Sequence, residues 1–409
     1  MDIGIVGPIA SADIAHLLDG RRGALPRGYP GAPLLATLIT ELCRRGHRVS
    51  AFTLSSDLPL TDTGAVVVRG RGFEAHFCPM RPRAWPFNGR LPGRIVDLYA
   101  FERRGLQRAI ALAKPEVLHA HWAYEFAWAA LRSGLPHVVT CHDSPFVIAR
   151  FQRDLRHGGY RWLRAAMAWH VLRQARHVTT VSPYMVGQIQ PLCRARVSVV
   201  PNPIAEQVRV RLTPSSPRPQ RVVMVANGWD LRKNSRVALE AWARLSARLP
   251  DAQLQVFGHD HGEGGPAQAW WQQTGARGRV TFVGPLAHDR LLLEMAQADV
   301  FVHTALEESF GAVVAEAMAA GVPVVAGAHS GAVPWVVQDA GRLVDVTRPD
   351  EVANALHDLL LDPREASRLG ALGRRRVHDN FSAEAVADAY EAEYEAACQT
   401  LPLLGEVST

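Results

Sequence analysis

Short apolar runs alternate with amphipathic, helix-length stretches from one end of the chain to the other. Residues 3–6, 49–54, 117–120, 137–141, 178–181 and 197–200 are too short for helices and rich in Val, Ile, Leu and Ala. Strands buried on both faces look like this. The stretches 34–45, 100–113 and 160–175 repeat apolar residues every three or four positions and predict helices. Pro30-Gly31-Ala32 opens the first of these and Gly46 closes it. A second series begins at 221–226 and runs through strands 253–257, 280–283, 300–303 and 322–326. Its interleaved helices are predicted at 235–248, 266–275, 290–297, 311–320 and 350–361. Alternation of this kind predicts a parallel sheet covered by helices, and here it occurs twice.

Between the two series, residues 212–220 (LTPSSPRPQ) are Pro- and Ser-rich without periodicity, which predicts a linker. A length of 409 residues suits two domains better than one. The division expected is a first Rossmann-like domain over 1–205, a linker over 206–220 and a second Rossmann-like domain over 221–380. Ligands of open α/β sheets bind at the carboxyl ends of the strands, so a cleft between the two domains is the expected site. After Phe381, Ser382 is suited to cap an acidic amphipathic helix running to 398.

Composition narrows the class. A hydrophobic fraction of 48% with 21% charged residues is that of a globular protein, and no apolar run has the length of a membrane-spanning helix. The start, Met1-Asp2-Ile3-Gly4-Ile5-Val6-Gly7, reads as a first strand and not as a secretory signal. Cys43, Cys78, Cys141, Cys193 and Cys398 are scattered and odd in number. Free thiols in a reducing cytoplasm are therefore expected. The net charge of +6 rests almost wholly on arginine, since Lys114 and Lys233 are the only lysines. A surviving lysine hints at a site where a compact ammonium is preferred. Arginine-rich stretches of the first half, such as 81–94, suit an anionic acceptor or peripheral contact at the cytoplasmic face of a membrane, or simply serve as solubilising charge. Nucleic-acid binding is disfavoured, because no basic cluster is interleaved with aromatics in a recognisable module.

The chemistry concentrates at Glu308-Ser309-Phe310-Gly311-Ala312-Val313-Val314-Ala315-Glu316, which follows the apolar run 300–303 and leads through Gly321 into Pro323-Val324-Val325-Ala326. One carboxylate precedes a predicted helix, beside a turn whose backbone N–H groups are free, and the second lies about two turns inside it. Two glutamates alone would be ordinary, since one complements a helix dipole and the other is solvated. The whole run, Glu-x-Phe-Gly followed by Glu-Ala-Met-Ala-x-Gly-x-Pro-Val-Val-Ala, closely resembles the donor-site signature of the retaining glycosyltransferases of the GT-B fold, family 4. That resemblance implies a nucleoside-diphosphate sugar as donor, with Glu308, Ser309, Phe310 and Gly311 at its sugar and phosphate and Glu316 at its ribose. It implies an acceptor-binding first domain and a donor-binding second one, with the last helix crossing back onto the first.

Other positions bear on this expectation. Asn227-Gly228-Trp229-Asp230-Leu231-Arg232-Lys233-Asn234 resembles the family's Gly-Arg-x4-Lys-Gly segment, whose two cations bind the donor phosphates. Lys233 matches, whereas Gly228 stands where the arginine belongs, leaving Arg232 as the substitute. His142, closing the strand-like run 137–141, resembles the family histidine that contacts the transferred sugar; a hydrogen-bonded core histidine is the ordinary alternative. His119-Ala120-His121 alternates so that both rings share one side, but no third metal ligand is in view. Gly258 and Gly284 resemble donor-contacting turns. Gly31, with Gly7 a weaker choice, would let backbone approach the donor or acceptor; the full dinucleotide fingerprint Gly-x-Gly-x-x-Gly is missing. Acceptor loops are expected within 73–94 and 144–159.

The expected function is thus retaining transfer of a sugar to a glycan, lipid or small-molecule acceptor, with Glu308, His142 and Lys233 catalytic. No metal or cofactor is expected, because no Asp-x-Asp occurs. The competing readings are a GT-B-like sugar-nucleotide epimerase or phosphorylase, a silent nucleotide-sugar-binding subunit and an NAD-dependent oxidoreductase.

Overall fold

A computed structural model describes residues 1–19, 25–60, 64–151, 155–205 and 219–399. Residues 206–218 of the expected linker lie outside them. The chain divides into two compact units: Met1–Pro203 together with the tail from Ala383, and Ile204–Ser382.

The first unit holds an eight-stranded sheet in the order β3-β4-β2-β1-β5-β6-β7-β8. Its strands are β1 (Asp2–Val6), β2 (Arg48–Ser55), β3 (Val66–Gly70), β4 (Phe73–Pro79), β5 (Val117–His121), β6 (His137–Cys141), β7 (Val178–Thr180) and β8 (Val197–Val199). All pairings are parallel except β3 with β4, a hairpin that places β3 at the edge. This corrects the expectation of acceptor loops over 73–94, because residues 73–79 form a mostly buried strand inside the sheet. The second expected acceptor loop, 144–159, contains the helix Pro145–Arg150 and the start of the helix Leu155–Leu172.

The second unit carries a six-stranded, all-parallel sheet in the order β11-β10-β9-β12-β13-β14. Its strands are β9 (Arg221–Val225), β10 (Gln253–Phe257), β11 (Arg279–Gly284), β12 (Val300–His303), β13 (Val324–Gly327) and β14 (Arg342–Val344). Chain order reverses between β9 and β12, the point at which open α/β sheets bind ligands at the carboxyl ends of their strands. The helix Pro363–Phe381 was not anticipated. Its periodicity is blurred by Gly370 and Gly373, which sit on its buried face because the helix passes close to the Gly321 carbonyl and Met318.

The tail helix Ala383–Gln399 belongs to the first unit; its acidic amphipathic pattern predicts a helix, and the return to the first unit is what the family resemblance implies. Val386, Ala387, Tyr390, Tyr394 and Ala397 join the core beside the helix Pro33–Arg44. On its polar edge Arg45 pairs with Asp388 at 2.5 Å and Glu391 at 3.0 Å. Beneath it the Tyr394 hydroxyl lies 2.8 Å from His119 Nδ1, and His119 Nε2 lies 2.7 Å from Thr140 Oγ1. Both Tyr394 and His119 are fully buried. Burial holds His119 neutral, well below its ordinary pKa, with the nearby His142 pushing the same way.

Tyr394→Phe keeps the ring and deletes this hydroxyl, stranding a buried ring nitrogen. The expected cost is about 1–3 kcal/mol of unfolding free energy, read as a lowered midpoint in denaturant melts with unchanged far-UV circular dichroism. An unshifted midpoint would show that the tail helix is held by apolar packing alone.

Candidate donor site at the carboxyl ends of the second sheet

The loops following β9 and β12 are laced together before any charged group is considered. Leu306 N–H donates to the Arg232 carbonyl at 2.7 Å. Asn234 Nδ2 donates to the carbonyls of Thr304 (3.0 Å) and Val346 (2.7 Å), and Thr304 Oγ1 donates back to the Asn234 carbonyl at 3.1 Å. Asn234 stands where the family pattern has its second glycine. Its φ of +51° is left-handed, a conformation asparagine tolerates better than most residues.

This lacing brings Lys233 Nζ to 2.6 Å from Glu308 Oε1, with His303 Nε2 at 3.5 Å from the same oxygen. Glu308 and Lys233 each leave 15% of the side chain exposed, and His303 is buried. Burial opposes ionisation of Glu308, but the Lys233 ammonium and His303 outweigh it and hold the carboxyl far below the ordinary range. His303 escaped sequence reading, although it closes an apolar strand just as His142 does.

The turn after Glu308 is anchored by Phe310, buried against Trp335 and Phe381. The Ala332 N–H donates to the Glu308 carbonyl at 2.9 Å. Gly311, at φ +87°, caps the helix Ala312–Ala319. The N–H groups of Phe310 and Gly311 have no acceptor among the described residues. Two unpaired N–H groups at a helix start favour an anion. Ser309 is half-buried in this turn. Glu316 is the fifth residue of the helix, closer to its start than the two turns expected. Its Oε1 lies 2.7 Å from Nε2 of His288, a partner that no sequence signal marked.

Arg232 lies 3.9 Å from Glu307. Gly228 adopts φ +100°, a backbone conformation that an arginine at that position would strain. Gly258 donates to the Gly284 carbonyl at 2.9 Å, joining the turns after β10 and β11. A Cβ on Gly258 would run into the Ala226 carbonyl oxygen.

His142 and Gly31 belong to the first unit. His142 is buried, its Nε2 2.8 Å from His121 Nδ1 and its Nδ1 3.1 Å from Asn202 Oδ1. With the Asn202 oxygen as acceptor, the ring carries its proton on Nδ1 and accepts from His121 Nδ1–H at Nε2. Both nitrogens are therefore engaged inside the unit, which is the core-histidine arrangement. Burial lowers the His142 pKa to about 3 against a raising contribution from Asn202, so the ring is neutral near pH 7. The rings of His119 and His121 stand 3.9 Å apart, on one side as the alternation implied. Gly31 has φ +119° with open space around it.

Comparison with known proteins covers both units. The profile described as Glycosyltransferase Family 4 matches residues 33–208, and that described as Glycosyl transferases group 1 matches 213–376. The chain is 36% identical over 163 residues to a GDP-mannose-dependent alpha-(1-6)-phosphatidylinositol monomannoside mannosyltransferase of Mycolicibacterium smegmatis, covering 37% of this chain and 41% of that protein. It is 31% identical over 283 residues to an MMP alpha-(1->4)-mannosyltransferase of Mycolicibacterium hassiacum, covering 65% of this chain and 66% of the relative. The matches thus span between two fifths and two thirds of these relatives' length. Among solved structures, a sucrose-phosphate synthase from Thermosynechococcus elongatus superposes with a TM-score of 0.74 at 21% identity, covering 98% of this chain and 99% of that one. An Anabaena protein, HepE, in complex with UDP gives 0.63 at 18% identity, covering 97% and 100%. At these identities the likeness shows the GT-B fold.

Lys233→Met removes the ammonium that holds the Glu308 pKa down. The carboxyl pKa is expected to rise by about one unit or more, measured by carbon NMR of labelled glutamate. In the wild type a depressed folded-state value means the stabilisation is complete above the unfolded value of 4.5 and is lost only as pH falls from there through the folded value. Wild-type stability should therefore show no loss from this group between pH 8 and 5. An unaltered Glu308 titration in Lys233→Met would contradict the ion pair.

Proposed function

This chain belongs to the GT-B glycosyltransferases of family 4, and from that membership we propose retaining transfer of a sugar from a nucleoside-diphosphate sugar to a glycan, lipid or small-molecule acceptor. The observation that carries the proposal is the meeting of Glu308, Lys233 and His303 beside a helix start with unpaired N–H groups. In this reading the donor phosphates take the Phe310 and Gly311 N–H groups and draw Lys233 away from Glu308. Glu308, released from its internal partner but ionised, orients the sugar hydroxyls. Glu316 exchanges His288 for the ribose hydroxyls, and the turns at Gly258 and Gly284 bound the nucleotide.

The acceptor oxygen then bonds to the anomeric carbon on the face from which the diphosphate leaves. The departing phosphate oxygen takes the acceptor proton, and configuration is retained. Lys233, with Arg232 as second cation, offsets the charge developing on the diphosphate, so the proposal requires no metal. The acceptor is assigned to the first unit.

Gly228, in place of the family arginine, is the one feature favouring a silent nucleotide-sugar-binding subunit. Thermal-shift screening of nucleotide sugars distinguishes the two readings when followed by product analysis. GDP-mannose is the first donor to test, because the Mycolicibacterium smegmatis relative is named as GDP-mannose-dependent. A transferase yields a product whose anomeric configuration matches the donor's, and Glu308→Gln lowers kcat by about 10²–10³-fold while donor stabilisation persists. Donor binding with no turnover, wild type and variant alike, would favour the silent subunit.

A further inference from the structure

Among the described residues, the exposed Trp and Phe side chains are Trp85, Phe87, Trp162 and Trp169, and all four lie in two segments of the first unit. Trp85 and Phe87 project from the loop between β4 and the helix Ala100–Ala113. Trp162 and Trp169 lie on the helix Leu155–Leu172. The segments adjoin, since a Cβ placed on Gly159, near the start of that helix, would meet the Trp85 ring at 3.9 Å. Phe146 packs edge-on to Trp162 with ring centroids 6.1 Å apart.

Unlike an ordinary surface helix, this one carries large apolar side chains on its exposed side as well as its buried one. Ala165, Met167, Ala168, Val171 and Leu172 fill its buried side. Trp162, Ala166, Trp169 and Arg173, spaced four, three and four, form an exposed stripe opposite. Such a stripe costs solvation in a free monomer and implies an occupant.

Charge selects the occupant. Residues 81–96 and 158–176 contain eight arginines and no carboxylate. Arg81 and Arg164 are used internally, by Glu102 and Glu125. Exposed Arg83, Arg90 and Arg173 have no carboxylate partner among the described residues, and Arg173 lies 5.7 Å from the Trp169 ring. Tryptophan and phenylalanine flanked by unpaired arginines match the headgroup layer of an anionic bilayer, where aromatic rings are half-immersed and guanidinium groups meet lipid phosphates.

We propose that this face, formed by the Trp85–Phe87 loop and the Trp162–Trp169 stripe, docks the protein on anionic phospholipid surfaces. The docking is independent of sugar transfer and is measured without substrate, so either reading can fail while the other stands.

The test is sedimentation of the full chain with vesicles of phosphatidylcholine alone or mixed with phosphatidylglycerol. Binding should require phosphatidylglycerol and weaken as salt is raised. Trp162→Ser/Trp169→Ser should lower partitioning at least about tenfold, and Arg90→Glu and Arg173→Glu about fivefold each or more. All these positions are exposed, and unchanged melting curves verify folding. Failure to bind phosphatidylglycerol vesicles at low salt, or undiminished binding by the tryptophan variant, overturns the proposal. So does a wild-type dimer in sedimentation velocity that the tryptophan variant abolishes, with no vesicle binding, since a second copy would then be the occupant.

Discussion

A carboxylate and an ammonium 2.6 Å apart at the reversal of the second sheet are the interaction on which the donor-site geometry depends. Burial opposes ionisation of Glu308, and the adjacent ammonium offsets that desolvation cost. Together they keep an ionised Glu308 and a cation within reach of unpaired N–H groups, and much of the surrounding structure serves that end. The sheet order sets β9 beside β12, and the left-handed Asn234 ties the following loops together. Phe310, wedged against Trp335 and Phe381, fixes the turn from below. In the proposed reading an arriving anion competes with Glu308 for Lys233, and a ligand replaces the pair's internal partner.

The first unit solves a different electrostatic problem. Its sheet carries polar side chains in a dry interior, and it satisfies them with neutral hydrogen bonds. His119, Thr140 and Tyr394 form one chain of contacts, and His121, His142 and Asn202 another. Burial keeps all three imidazoles uncharged, since each would pay the full desolvation cost of a cation. His121 Nε2 is left without a partner, a loose end within an otherwise satisfied network. The tail helix is part of this arrangement: remote in sequence, it supplies the hydroxyls that the strand histidines and threonines need.

Legibility followed the physics of each element. Parallel strands buried on both faces read as apolar runs, and each run from 3–6 to 322–326 emerged as a strand within two residues at either end. In the β3–β4 hairpin, β3 was missed because an edge strand with exposed positions carries a weaker signal, and β4 because Glu74 and His76 interrupt its apolar run. The helix Pro363–Phe381 was missed because its buried face uses glycines where close packing demands them. At the site, Lys233 and Glu308 were legible through motif spacing, whereas His288 came from a distant helix start with no pattern of its own.

Local pattern and spacing alone determined two successive α/β series, a glycine-capped helix behind Glu308 and a lone lysine at a helix start. They did so because periodicity and turn chemistry are properties of neighbouring residues. Which charge neutralises which carboxylate, which histidines are sealed from water and which tryptophans are left outside were decided only by tertiary structure. Those outcomes depend on desolvation and on contacts between residues as much as 346 positions apart, and no local pattern encodes such distances.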